Sequence, residues 1–250
     1  MFYATLCPEF ERQGFVIVRD FLPGEALARL SAELERYIQD VVPRLPAKSV
    51  FYDDRDRPET LRQLHHMAVD PFFQEYRQDS RWRELAEDLL GERVTADEPE
   101  WFNKPPCSSS GTPPHQDNFY FCLNPCQVVT VWLALDRIDE ENACLRYVPG
   151  SHRGPVRPHG RSAILGFSQG ITDFGDADRA QEVPIVLNPG DAVAHHGNLI
   201  HRAEPNRSVD RHRRAFAMVF RGASCQRDEA AFARYHAALQ QQQQELGVGA

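Results

Sequence analysis

The chain has 250 residues, 42% hydrophobic and 26% charged, with a net charge of -8. That balance fits a soluble globular protein with enough apolar material for a sizeable core. It argues against nucleic acid as a partner, because phosphate binding rests on clustered Lys and Arg. No run approaches the roughly 18 apolar residues of a membrane span.

The first residues, Met1-Phe2-Tyr3-Ala4-Thr5, carry neither a basic region nor an apolar run of signal-peptide type. A cytoplasmic protein is expected. Six cysteines lack any CxxC pair, which suits a reducing compartment and inert, free thiols. Gly14-Phe15-Val16-Ile17-Val18 reads as a strand after a brief helix. After Pro23-Gly24, Leu27, Leu30, Leu34 and Tyr37 recur at helical spacing. Residues 45–80 are mixed and polar, with His65-His66 placed in a helix as structural residues. Another helix is expected over 81–91, ending at Gly91.

From about residue 92 short β-rich runs dominate. They are Trp101-Phe102, Phe119-Tyr120-Phe121, Val128 to Leu135, Leu145 to Val148, Val183 to Leu187, Ala192 to Ala194 and Ala215 to Phe220. Turn phrases such as Pro149-Gly150-Ser151 and Pro189-Gly190-Asp191 punctuate them. This rhythm predicts a mainly β fold with flanking helices, a double-stranded β-helix or jelly-roll barrel of cupin type. The whole of 1–250 reads as a single domain. A helical N-terminal portion covers about 1–91, the jelly-roll core about 92–222, and a C-terminal helix about 227–246. Residues 153–182 interrupt the rhythm, as a lid or binding loop does.

Within this β-rich half stands His115-Gln116-Asp117. None of the other nine histidines is followed two residues later by Asp or Glu. On a strand, His115 and Asp117 would point to one face and Gln116 to the other. With His201 they would form a facial set of two imidazoles and one carboxylate, the ligand type of non-haem Fe(II) oxygenases. His195-His196, just upstream of His201, and His152 read as structural.

Several phrases in order resemble the phytanoyl-CoA dioxygenase family. They are Asn103-Lys104-Pro105-Pro106, Pro114-His115-Gln116-Asp117-Asn118, Val131-Trp132-Leu133-Ala134-Leu135-Asp136 and Val148-Pro149-Gly150-Ser151-His152. Gly190-Asp191, His201, Asn206-Arg207-Ser208 and Arg213-Arg214-Ala215 complete the series. The resemblance spans about residues 8 to 221. It implies that His115, Asp117 and His201 bind Fe(II) and that Arg213 pairs with the distal carboxylate of the cosubstrate 2-oxoglutarate. Lys104, Trp132 and Ser208 would contribute to the cosubstrate pocket. Arg213 falls one residue later than the family's usual spacing, leaving Arg211 and Arg214 as alternatives. Strand alternation favours Arg213, which shares a face with Ala215, Ala217 and Val219.

Such a site implies O2-dependent oxidation with release of succinate and CO2. A retained Asp117 favours hydroxylation of an unactivated carbon in a small-molecule substrate. Trp101, Phe119 and Tyr120 are candidates for an aromatic wall, and Arg146, Arg157, His159 and Arg161 for contacts to an anionic substrate. The alternative is a non-catalytic jelly-roll binding protein that keeps the metal site; a cupin independent of 2-oxoglutarate is a third reading.

Overall fold

A computed structural model describes residues 2–108, 110–162 and 169–245. Helices α1 (Cys7–Gln13) and α2 (Gly24–Arg36) flank strand β1 (Phe15–Val18). β2 (Val50–Tyr52), β3 (Leu61–Leu64), α3 (Pro71–Tyr76) and α4 (Ser80–Leu90) follow. Next come β4 (Val94–Ala96), β5 (Glu100–Lys104), β6 (Thr112–His115), the short α5 (Asn118–Phe121), β7 (Val128–Ala134) and β8 (Leu145–Tyr147). β9 (His159–Arg161), β10 (Gln169–Ile171), α6 (Asp176–Arg179), β11 (Val183–Pro184) and β12 (Ala192–His196) lead to the last strands. These are β13 (His201–Ala203) and β14 (Arg213–Gly222), before the terminal helix α7 (Glu229–Glu245).

The large sheet has the order β1-β12-β7-β14-β5-β3-β2, with β4 also on β14, and the small one β11-β8-β13-β6. All of their pairings are antiparallel. The sheets share one apolar layer in which Trp132, Ala134, Val193, Ala215 and Ala217 meet Leu145, Tyr147 and Ala203. This is the two-sheet jelly-roll arrangement, and it is built by period-two alternation. On β14, Ala215 and Ala217 face the small sheet. Phe216, Met218 and Phe220 face the other way, into a layer with Leu30, Leu34, Trp82 and Leu85 of α2 and α4.

Those helices follow their sequence signals. Asp79 accepts the Arg81 backbone N–H at 2.9 Å at the start of α4, and Gly91 ends it at φ 70°. Leu30, Leu34 and Tyr37 are buried along one stripe. At the Pro189-Gly190-Asp191 turn φ is +90°, and a Cβ on Gly190 would lie 2.6 Å from the Leu22 carbonyl. Only glycine lets the backbones meet there.

Three expectations are corrected. The first 91 residues are not only helical: besides the expected β1, the unexpected β2 and β3 join the large sheet. His65 and His66 lie outside any helix, between β3 and a single turn at Met67–Val69, and His66 has φ 57°. Phe119-Tyr120-Phe121 is a helical turn rather than a strand. Residues 163–168 of the expected loop lie outside the described residues; its remainder holds the β9–β10 pair and α6. Residue 246 also lies outside them, and no described helix is long and apolar enough to cross a membrane.

Candidate active site

His115 ends β6, His201 begins β13, and the two are direct cross-strand partners. Their ring centroids lie 4.1 Å apart. His115 Nδ1 sits 2.8 Å from the Pro113 carbonyl and His201 Nδ1 sits 2.9 Å from that of Leu199. A carbonyl can only accept, so each Nδ1 carries a proton and each ring turns its Nε2 towards the metal position.

Asp117 arrives differently from the strand-parity expectation. β6 stops at His115, and Asp117 has helical φ/ψ of -56° and -36° at the head of α5. The turn still brings its Oδ1 to 3.5 Å from both His115 Nε2 and His201 Nε2. Gln116 does point away, donating its amide to the Asn198 carbonyl at 2.8 Å and accepting from the Arg157 N–H at 2.8 Å. One ligand atom from each of His115, Asp117 and His201 lies within 4.8 Å of the others.

The other carboxylate oxygen is tied down. Asp117 Oδ2 accepts from Thr130 Oγ1 at 2.9 Å and lies 3.2 Å from His195 Nε2. Tyr147 Oη reaches His195 Nδ1 at 2.8 Å, so Tyr147 donates while His195 donates onward from Nε2. Burial and the neighbouring His115 push the His201 imidazolium down to about 3, so the ring is neutral at physiological pH. Burial works against the Asp117 charge, yet the imidazoles around it hold the carboxyl well below its usual range. A neutral His201 and an ionised Asp117 are in the protonation states that bind a divalent metal.

Arg213 projects into the same cavity, which encloses about 290 Å³ and is also lined by Trp132, Phe102, Tyr120, Phe121 and Arg62. Its side chain is 4% exposed and no carboxylate pairs with it among the described residues; Nε has no hydrogen-bond partner. Trp132 lies under the guanidinium at 5.3 Å. Burial and the charge of Arg62 pull its pKa down to about 10, still cationic at neutral pH. A buried, unpartnered guanidinium fork fits a bidentate carboxylate. Its competitors are occupied: Arg211 binds Asp139 and Glu141 at 2.9 and 2.6 Å, and Arg214 binds Asp136 at 2.7 Å on the opposite face.

The remaining candidates divide. Trp132 lines the cavity, whereas Lys104 and Ser208 do not. Lys104 pairs in register with Arg213, but its Nζ donates to the Ser110 carbonyl at 2.7 Å; burial and Arg213 pull its pKa well down. Ser208 fixes the turn before β14, its hydroxyl at 3.2 Å from both Asp210 Oδ1 and the Arg211 N–H. Trp101 belongs to the helix-facing core. Phe119 stacks on His159 at 4.0 Å beside a separate recess. Arg146 and Arg157 are held by acidic side chains, Arg146 by Glu140 and Arg157 by Asp173 and Asp178. Burial pushes the Cys126 and Cys144 thiols up, to about 12 and about 11, so neither is an activated nucleophile.

Thr130, Tyr147, Arg62 and Glu100 carry no sequence signal that singles them out, while His195 and His65, read as structural, instead face Asp117 and Glu100. Alternation does place Thr130 on one face with Trp132 and Ala134.

Fold and site together define a non-haem iron, 2-oxoglutarate-dependent enzyme. The family model for phytanoyl-CoA dioxygenase matches residues 10–215, and the chain belongs to that family. Bovine peroxisomal phytanoyl-CoA dioxygenase is 30% identical, over 86% of this chain and 67% of its own length. Among solved structures, EvdO2 from Micromonospora carbonacea var. aurantiaca, complexed with 2-oxoglutarate, is 27% identical with a TM-score of 0.70, covering 88% of this chain and 90% of its own. The epimerase SnoN, in complex with Fe3+, alpha ketoglutarate and nogalamycin RO, has a TM-score of 0.71 at 23% identity, covering 88% and 84%.

Proposed function

We propose that the protein is an Fe(II)- and 2-oxoglutarate-dependent dioxygenase that hydroxylates an unactivated carbon of a small organic substrate. His115, Asp117 and His201 would hold the iron, and Arg213, backed by Trp132, the distal carboxylate of 2-oxoglutarate. One observation carries the reading: the Nε2 atoms of His115 and His201 and one Asp117 carboxylate oxygen converge in a cavity whose buried arginine has no acid partner among the described residues. When bound, iron and cosubstrate supply the oxidising power from O2, with succinate and CO2 released.

The chain's own residues would do the rest. The Pro113 and Leu199 carbonyls fix the two imidazole tautomers. Thr130 and His195 hold Asp117 Oδ2, presenting Oδ1 to the metal. Arg213 fixes one end of the cosubstrate, and the aromatic walls limit water around the target carbon. The first 91 residues share their apolar core with β7, β12 and β14, which supports reading 1–250 as one oxygenase domain. We also place it in the cytoplasm, on its six free thiols, although the bovine relative is named peroxisomal; cell fractionation tests this.

Anaerobic addition of Fe(II) and then 2-oxoglutarate should give a weak visible charge-transfer band. Aerobic incubation should release succinate. If neither ligand binds, the reading is wrong. Binding of both with no succinate under any condition would favour the non-catalytic jelly-roll alternative.

A further inference from the structure

The cavity wall supplied by β3 and β5 is polar in a way that iron and 2-oxoglutarate do not use. His65, just past β3, places Nδ1 2.5 Å from Glu100 Oε1 and Nε2 3.0 Å from Gln63 Oε1. All three residues line the same cavity as His115, Asp117 and Arg213. Both ring nitrogens thus face acceptors, which suits an imidazolium. Burial opposes that charge, but the Glu100 carboxylate overrides it and raises the His65 pKa. Phe51 and Phe102 pack edge-on to the ring, at 5.1 and 6.1 Å.

Glu100 has an oxygen to spare. Oε1 is taken by His65, while Oε2 has no partner among the described residues. Its side chain is 29% exposed against 4% for Arg213, which puts it at the outer part of the cavity. The register places it well for substrate. Glu100 pairs with Ala217, and Ala217 pairs with Trp132 on its other side. Between Glu100 and Trp132, about 10 Å apart at two strand spacings, only a methyl group rises from the sheet.

With the proposed ligands bound, iron and Arg213 cancel Asp117 and the two cosubstrate carboxylates, and Asp53 pairs with Arg62 at 2.9 Å. Glu100 and the His65 imidazolium remain, a pair of zero net charge whose carboxylate still offers an acceptor. We propose that Glu100, positioned by His65, selects the substrate by accepting a hydrogen bond from a hydroxyl or amine of a compact polar molecule. This rests on the oxygenase reading above and narrows its substrate class. A long acyl chain would leave Glu100 Oε2 and the Gln63 amide unpaired, and a cavity of about 290 Å³ must hold the cosubstrate as well. A charged acceptor matched to a donor favours that ligand about tenfold or more over one lacking it.

The test uses the anaerobic Fe(II)–2-oxoglutarate protein and reads dissociation constants from perturbation of its visible band. The probes are cyclohexanol, cyclohexylamine, the donor-free methoxycyclohexane, and palmitoyl-CoA. The expected result is that an alcohol or amine binds at least tenfold tighter than methoxycyclohexane and palmitoyl-CoA, and that Glu100→Leu erases the margin. Glu100→Gln keeps an acceptor but no charge, so it spares the alcohol if hydroxyl is recognised and weakens the amine if ammonium is. Should Glu100→Leu lose the band through misfolding, a tenfold loss of either probe in Glu100→Gln or His65→Leu supports the proposal. Equal binding of all four probes, or an undiminished margin in the variants that keep the band, overturns it. Absence of the band in the unsubstituted protein overturns the oxygenase reading itself, a distinct signature.

Discussion

Thr130 Oγ1 donates a 2.9 Å hydrogen bond to Asp117 Oδ2, from the strand that also carries Trp132. The contact joins the large sheet to the turn after β6 and leaves Oδ1 as the oxygen nearest both His115 and His201. Without it only His195, at 3.2 Å from Oδ2, would restrain rotation of the carboxylate between one-oxygen and two-oxygen binding. Thr130→Val keeps the shape and removes the donor. Fe(II) affinity should fall about tenfold to a hundredfold, the usual effect of losing a partner of a metal ligand, with little change in far-UV circular dichroism. Anaerobic metal titration measures it; unchanged affinity would mean that His195 alone orients Asp117.

Arg213 and Arg214 are neighbours with opposite fates. Arg213 is buried without an acid among the described residues, while Arg214 is 44% exposed and paired with Asp136. Arg213→Met should raise the KM for 2-oxoglutarate at least about a hundredfold, since two charge-assisted hydrogen bonds are lost. Arg214→Ala should change it less than about twofold, because exposed pairs contribute little. Without 2-oxoglutarate, Arg213→Met should also raise Tm, because replacing a buried ion with an apolar group stabilises by about 1–4 kcal/mol. A lower Tm would show that stacking on Trp132 outweighs the desolvation of the guanidinium.

Phe216 tests the packing that holds β14 in place. Its ring meets Trp82 at 5.7 Å, Tyr76 at 5.6 Å and Phe73 at 5.9 Å, and it is fully buried. Phe216→Ala should destabilise the protein by about 3–5 kcal/mol, the range for deleting a buried aromatic ring. Urea unfolding followed by tryptophan fluorescence reports it. A loss below about 1 kcal/mol would imply that α4 collapses onto the sheet and fills the space.

How much of this was legible from residues alone depends on how local the signal was. β7 and β14 are readable because Val128 to Leu135 and Ala215 to Phe220 are compact apolar runs, and strand parity along β14 singles out Arg213. Strand parity predicts Asp117 beside His115, but a turn into α5, not a continued strand, brings it there. His65 was misplaced because 45–80 lacks periodicity, and β3 exists only through pairing with β2 and β5. His195 reads as structural in the sequence because the metal already has three ligands, and its bond to Asp117 spans 78 positions. Sequence spacing encodes nothing about such a contact.

Acid should weaken the fold through His196. Burial, and then the neighbouring His152, push its pKa down to about 4 from an ordinary value of 6.5. Its Nδ1 accepts the Asn198 N–H at 3.0 Å, a bond that needs the unprotonated nitrogen. As pH falls below 6.5 the unfolded chain takes up a proton that the folded ring refuses until about 4. Stability from this group is therefore complete above 6.5 and is lost as pH drops through that window. The loss is on the order of 2 kcal/mol by about pH 5. His196→Asn, whose Oδ1 can accept the same N–H, removes the titration. Urea midpoints at about pH 7.5 and about pH 5, in the presence of a chelator, should show the variant losing about 2 kcal/mol less than the parent. Equal losses in the two proteins would assign the acid sensitivity to other buried groups.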